Sequence, residues 1–156
     1  MGETSKTVNH AIRILKCFSR SKPILSGSEV AEILGLPRTN VLRLLATLEH
    51  AGFVEREESG SRYRIGIGAF EIGSLFLEGN PQLSILTKTL DGLVEKTQCT
   101  VYLGVLDHDD IVILTYREGT LPVRFIWKDG DRLPCTTTAV GKAILMHLSD
   151  DEISQH

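Results

Sequence analysis

The chain has 156 residues, of which 42% are hydrophobic and 24% are charged, a composition that is ordinary for a globular protein of one or two small domains. No apolar run reaches the ~18 residues of a membrane-spanning helix, and the N-terminus has no hydrophobic signal segment, so we expect a cytoplasmic protein. Its three cysteines, Cys17, Cys99 and Cys135, are odd in number and far apart. They are typical of reduced packing residues and not of a disulfide framework or a metal site.

The formal net charge of −3 is unevenly distributed along the chain. Residues 1–66 contain ten Lys or Arg against seven Asp or Glu, whereas residues 67–156 contain seven against thirteen. A basic half followed by an acidic half suggests a module that binds a polyanion, joined to a part with a different task.

The first predicted helix covers residues 5–19. Its apolar residues share one face, which should complete the core of the following helices: Val8, Ala11, Ile12, Leu15 and Phe18. Arg13, Lys16 and Arg20 stripe another side of this helix, where they are placed to meet phosphates.

Two short helices joined by a tight turn follow. Ser26 and Glu29 have the spacing of a capping box, so the first of these helices begins near residues 26–28, and Gly35 ends it. Pro37 suits the first position of the second helix. The second helix has an apolar stripe at helical spacing, formed by Val41, Leu44, Leu45 and Leu48.

After Gly52 the period shifts towards two. Residues 53–57 and 62–65 are predicted strands, and Ser59-Gly60 supplies the turn between them. A helix, a turn, a second helix and a hairpin in this order form a winged helix-turn-helix, which places its second helix in the major groove of DNA.

The polar face of the second helix carries residue types that read bases, since Arg makes bidentate contacts with guanine and Asn with adenine. Alone, such a face is usually only solvated, but the complete motif favours DNA contact. The predicted DNA-binding residues lie on this helix, on the hairpin and at the start of the preceding helix: Ser28, Arg38, Thr39, Asn40, Arg43, Thr47, Arg56, Arg62 and Arg64.

Residues 67–77 have a helical pattern that is apolar on nearly every side, which requires burial. This helix either packs in a core between two domains or forms a dimer interface, and the residues predicted for such an interface are Phe70, Leu75 and Phe76. Gly79-Asn80-Pro81 then breaks the chain.

The second half is predicted to be an antiparallel sheet with helices. An amphipathic helix ends near Gln98, and strands are predicted at residues 99–106, 111–116 and 123–128, with turns at 107–110 and 129–131. Residues 139–148 are predicted to form a helix, with caps among residues 136–138.

We expect no enzyme, cofactor or metal. Gly141-Lys142-Ala143 lacks the first glycine of a phosphate loop, Gly66-Ile-Gly68 lacks the third glycine of a dinucleotide site, and His108 lies in an acidic turn.

Two stretches carry a specific resemblance. Residues 31–48, with Gly52 and residues 63–66, resemble the winged-helix domain of the IclR family of bacterial transcription regulators. Residues 130–134 and 138–143 resemble the start of the family's effector-binding domain. The resemblance covers nearly every residue. It implies an α+β protein with a winged helix-turn-helix at residues 1–66, a linker helix at 67–80 and a partial GAF-like domain at 81–156.

The resemblance also implies partners. These are double-stranded operator DNA, a second copy in a homodimer or tetramer, and a small organic effector, often an acid. The effector pocket would be bordered by residues around a helix N-terminus, which favours an anion: Thr136, Thr137, Thr138, Ala139 and Val140. Alternatively, the threonines only cap this helix.

Family members continue beyond the point that corresponds to His156. The chain stops soon after Ser149-Asp-Asp-Glu152, which is itself a capping-box start. We therefore expect a truncated second domain with an open sheet edge and weak or no effector binding. In the alternative function, the second domain serves only dimerisation or binds a protein partner.

Overall fold

The computed structural model describes residues 4–58, 60–122 and 126–154. The chain divides into two compact units, Met1–Gly79 and Asn80–His156, and each contains helices and a three-stranded antiparallel sheet among its described residues. The fold is therefore α+β. In the described ranges, no helix combines the length and the apolar character needed to cross a membrane.

The first unit is a winged helix-turn-helix followed by a further helix. Its elements are α1 (Lys6–Leu15), β1 (Ile24–Ser26), α2 (Gly27–Leu34), α3 (Arg38–His50), β2 (Val54–Arg56), β3 (Arg62–Ile65) and α4 (Ile67–Glu78). The predicted hairpin is the pair β2 and β3, and its turn contains Gly60, while Ser59 lies outside the described residues. The sequence analysis missed β1, which pairs with β3 through Leu25 and Tyr63.

The boundaries of α2 have the predicted chemical causes. The Ser26 hydroxyl accepts the Glu29 N–H at 3.2 Å, and the Glu29 carboxylate accepts the Ser26 N–H at 2.7 Å, which completes the capping box. Gly35 ends the helix at φ +63°, a conformation that costs glycine little. Pro37 precedes α3 as its cap, one position earlier than predicted.

The core of the first unit is built on the predicted stripe of α3. Val41, Leu44, Leu45 and Leu48 are all buried, and they belong to one cluster with Ile14, Leu25, Val30, Ala31, Val54 and Tyr63. Burial of each large aliphatic side chain contributes about 1.5–3 kcal/mol, so this stripe fixes α3 against its neighbours and leaves the polar face of α3 outside.

The prediction for α1 was wrong in two respects. The helix ends at Leu15, because the N–H groups of Cys17 and Phe18 bond three residues back and the backbone then turns at Ser19. Its buried face is centred on Ile14, which the prediction left out, whereas Val8 and Ile12 are 57% and 48% exposed.

The predicted basic stripe on this helix is also incorrect. Arg13 lies on α1 and donates to the carbonyl of Leu34 at 3.4 Å, but Lys16 is the C-cap and Arg20 lies beyond the helix. The three side chains therefore do not share one helical face.

The second unit contains the remaining elements: α5 (Gln82–Thr97), β4 (Val101–Asp107), β5 (Asp110–Arg117), β6 (Arg132–Pro134), α6 (Ala139–Leu145) and α7 (Asp150–Ile153). The strands are ordered β4-β5-β6. The buried core of this unit comprises Ile111, Ile113, Leu133, Cys135 and Leu145. Cys135 is thus a packing residue as expected, but Cys99 is exposed and is not.

The first two predicted strands of this unit are β4 and β5, and the predicted turn between them contains His108 at φ +57°. The third prediction, residues 123–128, is not supported: residues 123–125 lie outside the described residues, and residues 126–128 are not in a strand. Instead β6 pairs with β5 through Leu133 and Ile111. A strand of three residues that ends in Pro134 is too short to show a period of two.

Three glycines hold the start of α4 against the segment that follows α3. The Gly66 N–H donates to the carbonyl of Phe53, and the Gly68 N–H donates to the carbonyl of Gly52, both at 2.9 Å. A Cβ atom on Gly66 would lie 2.4 Å from the Gly52 carbonyl oxygen, so only glycine permits this approach.

We expect Gly66→Ala to destabilise the first unit, because the new methyl group meets backbone that cannot move aside. Overpacking of this kind costs about 1–3 kcal/mol, which urea denaturation will measure. The matched control is Gly73→Ala within α4, where a Cβ meets nothing within 4 Å, and which should stabilise by about 0.5–1 kcal/mol. Equal stability changes in both variants would contradict the close approach.

Candidate nucleic-acid interface

The outer face of α3 is exposed and carries two arginines. Burial of the apolar stripe turns five of the predicted DNA-binding residues outwards, and all five are exposed: Arg38, Thr39, Asn40, Arg43 and Thr47. Among the described residues, neither Arg38 nor Arg43 has an ion pair. Their guanidinium groups are therefore available to an external acceptor, and an Arg fork suits guanine or phosphate.

A cleft at the start of α3 brings together predicted residues from three elements. It has a volume of about 320 Å³, and Ser28 of α2, Arg38 of α3 and Arg56 of β2 all line it. Ser28 is exposed in the first turn of α2. The cleft therefore places Ser28, Arg38 and Arg56 along one surface of the first unit.

The arginines of the hairpin differ from those of α3, because each forms an ion pair inside the protein. Arg56 pairs with Glu49 at 3.0 Å, Arg62 pairs with Glu29 at 3.3 Å, and Arg64 pairs with Glu55 at 2.9 Å. All three arginines were predicted to bind DNA. Among the described residues, the predicted DNA-binding arginines therefore form two groups: those of α3 have no ion pair, and those of the hairpin each have one.

The glutamate partners of these arginines were not predicted from the sequence. Glu55 and Arg64 face each other in the register of β2 and β3, so the hairpin pattern contained that signal. Glu29 and Glu49 lie on α2 and α3, and their pairing with the hairpin depends on the tertiary fold. Local periodicity cannot show such contacts.

Hydrogen bonds shift the pKa values of Arg56 and Glu29. Hydrogen bonds to the carboxylate of Glu49 raise the pKa of Arg56. Hydrogen bonds from the backbone N–H and the hydroxyl of Ser26 lower the pKa of Glu29, and Arg62 adds to the effect. Both shifts favour the charged state of the group.

The residues predicted for the effector site lie at the start of α6. The Thr138 hydroxyl accepts the Gly141 N–H at 3.2 Å and donates to the Pro134 carbonyl at 3.1 Å, so Thr138 acts as the cap. Thr136, Thr137 and Ala139 are exposed, and Val140 packs against the core of the sheet. The five residues share one segment, and their role in effector binding stays a prediction.

The residues predicted for a dimer interface are exposed in the single chain. The exposed fractions of Phe70, Leu75 and Phe76 are 71%, 60% and 50%, and Ile67 and Ile72 of the same helix are similarly exposed. So much apolar surface on one helix is typical of an interaction site.

The acidic turn contains His108, whose Nδ1 atom lies 3.0 Å from a carboxylate oxygen of Asp107. Both side chains are exposed. The described residues contain no group of three or more potential metal ligands.

Two known family models match this chain. The family model of the IclR helix-turn-helix domain matches residues 7–58, and that of the bacterial transcriptional regulator IclR C-terminal domain matches residues 79–156. The chain belongs to the IclR family. The resemblance predicted from residues 31–48 and 130–143 is thereby confirmed.

A curated relative supports this family assignment. The chain is 30% identical over 152 residues to the transcriptional repressor IclR of Escherichia coli strain K12, which covers 96% of this chain and 56% of that protein. The chain thus spans little more than half the length of this relative.

Solved structures show the same fold. The Thermotoga maritima IclR structure is 28% identical, with a TM-score of 0.65, over 96% of this chain and 60% of that one. An IclR homolog from Microbacterium hydrocarbonoxydans, complexed with 4-hydroxybenzoate, has a TM-score of 0.79 at 19% identity, over 94% of this chain and 60% of that one.

We expect Glu29→Gln to change how stability depends on pH. Because the folded-state pKa of Glu29 is lowered, its carboxylate contributes stability above the unfolded pKa, and that contribution is lost as pH falls through the folded pKa. The variant should be less stable at neutral pH, and its unfolding free energy should converge with that of the unaltered protein in acid.

Urea denaturation across a pH series will measure this convergence. Glu32→Gln, on the same helix, is the control, since the Glu32 side chain has no hydrogen bond or ion pair among the described residues, and its curve should run parallel to that of the unaltered protein. A gap that stays constant at every pH for Glu29→Gln would show that its carboxylate has no special stabilising role.

Proposed function

We propose that this chain is a sequence-specific, double-stranded DNA-binding transcriptional regulator of the IclR type, under the control of a small organic acid. The observation that carries the proposal is the outer face of α3, where Arg38 and Arg43 are exposed beside Asn40 and have no ion pair among the described residues. The name of the Escherichia coli relative, a transcriptional repressor, supports it. Such a regulator acts in the cytoplasm.

In the proposed complex, α3 lies in the major groove with its first turns against the base edges. Arg38 and Arg43 supply guanidinium forks for guanine, and Asn40 supplies an amide for adenine. Ser28 at the start of α2 meets the phosphate backbone through the N–H groups of that helix. In this arrangement α3 reads the base sequence, while the start of α2 fixes the position of the protein along the DNA.

The ion pairs of the hairpin predict a modest dependence of binding on salt. Each cation that neutralises a phosphate steepens this dependence, but Arg56, Arg62 and Arg64 already have glutamate partners. The hairpin arginines are therefore expected to contribute little to this salt dependence.

The proposed assembly is a homodimer, or a tetramer built from dimers, in which α4 contributes to the subunit interface. Phe70, Leu75 and Phe76 supply its apolar surface. Two copies of α3 would then meet half-sites about one helical turn of DNA, or a multiple, apart.

The proposed effector is a small organic acid that binds near the start of α6. Support comes from the Microbacterium homolog complexed with 4-hydroxybenzoate, which is an aromatic acid. The alternative is that the second unit only dimerises or binds a protein partner. The Thr138 hydroxyl favours this alternative, since its bonds are made within the protein. Calorimetry with a panel of small carboxylic acids separates the two functions.

We expect Arg43→Ala to cost about 1–3 kcal/mol of binding free energy on the preferred DNA site and to relax one base preference. The site is first selected from a random duplex library, and affinities are then measured by fluorescence anisotropy. Arg117→Ala, in the second unit and paired with Asp91, is the control and should bind normally. A uniform loss on all sequences would reassign Arg43 to phosphate contact.

We expect Phe70→Asp to shift the protein towards monomer in sedimentation experiments. An aromatic side chain buries about 150–250 Å² at an interface, and a carboxylate there would be desolvated without a partner. The control Glu71→Gln alters an exposed polar neighbour on the same helix and should leave assembly unchanged. An unaltered dimer in Phe70→Asp would place the interface elsewhere.

A further inference from the structure

Arg56 makes more internal contacts than the other hairpin arginines. Its Nε atom donates to both carboxylate oxygens of Glu49 at 3.2 and 3.3 Å, and Nη2 donates to the same carboxylate at 3.0 Å. Nη1 donates to the Gly60 carbonyl at 3.0 Å. The guanidinium carbon lies 4.8 Å from the centre of the Tyr63 ring. Each guanidinium nitrogen therefore has an acceptor within the protein.

These contacts connect three parts of the winged helix. Glu49 lies in the last turn of α3, Gly60 lies in the turn between β2 and β3, and Tyr63 is a core residue of β3 directly opposite Arg56. Through the Arg56 side chain, the tip of the hairpin is attached both to α3, the proposed recognition helix, and to the core.

The position of Glu49 in α3 supports a structural role for its ion pair with Arg56. A carboxylate in the last turn of a helix faces the negative end of the helix dipole, which disfavours it. Arg56 offsets this cost through a bidentate interaction. The same carboxylate repels any external anion that approaches Arg56.

Arg62 and Arg64 make fewer contacts within the protein than Arg56 does. Arg62 reaches Glu29 through Nη2 alone, at 3.3 Å. Arg64 pairs with Glu55 on the neighbouring strand, which leaves both partners within the sheet. Neither pair joins the hairpin to α3.

We propose that Arg56 and Glu49 are positioning residues that fix the hairpin against the recognition helix, and that Arg56 is not a phosphate ligand. The inference rests on the proposed DNA-binding function. For Arg56 to bind a phosphate, its guanidinium would have to leave Glu49, Gly60 and Tyr63, and a buried aromatic ring would lose its cationic neighbour.

Salt dependence of DNA binding separates the two roles. A positioning pair predicts that Arg56→Gln and Glu49→Gln each weaken binding by a similar factor, about 3-fold to 10-fold, with an unchanged salt slope. The double variant should be no worse than either single variant, since the two residues act through one interaction. A phosphate ligand predicts that Arg56→Gln lowers the slope by about one, and that Glu49→Gln tightens binding by releasing a cation.

Arg56→Lys provides a second test at constant charge. Lysine keeps the positive charge but lacks the planar fork that holds Glu49 and Gly60 together. A positioning role predicts that the lysine variant binds as weakly as Arg56→Gln. Retention of full affinity by the lysine variant would overturn the proposal.

Hydrogen exchange tests the pair without DNA. The Glu57 N–H bonds to the Arg62 carbonyl, and the Gly60 N–H bonds to the Glu57 carbonyl. Both amides should exchange faster in Glu49→Gln and Arg56→Gln, with no change at reference amides in α5. Unchanged exchange in the hairpin would refute the positioning role. Absence of sequence preference in the unaltered protein would instead refute the proposed function, and the exchange result would still decide the role of the pair.

Discussion

Burial of one apolar stripe determines most of the first unit. Val41, Leu44, Leu45 and Leu48 point inwards from α3, and α1, α2 and the sheet contribute side chains to the same core. The packing is strong enough to set the rotation of α3, since several buried aliphatic side chains each contribute about 1.5–3 kcal/mol. The opposite face must then be exposed, so the arrangement of the core and the location of the candidate interface have one physical cause.

Ion pairs determine which basic residues of the first unit have a compensated charge, and the amino-acid composition alone does not show this. The excess of basic residues over residues 1–66 suggests a broadly cationic surface, but the hairpin arginines share their charge with Glu29, Glu49 and Glu55. Exposed ion pairs add little to stability. The three pairs compensate the hairpin arginines, whereas Arg38 and Arg43 of α3 have no ion pair among the described residues.

Local patterns predicted those features that depend on residues near in sequence. The stripe of α3, the capping box of Ser26 and the hairpin were all visible from spacing. The strands β1 and β6 were missed because three residues carry no readable period. The partners of Arg56 and Arg62 depend on contacts between elements of the folded chain, which a single sequence does not display.

The glycine contacts at Gly52, Gly66 and Gly68 have a mechanical consequence. Gly66 and Gly68, at the start of α4, donate hydrogen bonds to the carbonyls of Phe53 and Gly52, which follow α3 almost directly. A Cβ atom on either glycine would lie 3.0 Å or less from the Gly52 carbonyl oxygen. A change in the direction of α4 at this point would therefore strain the backbone that follows α3.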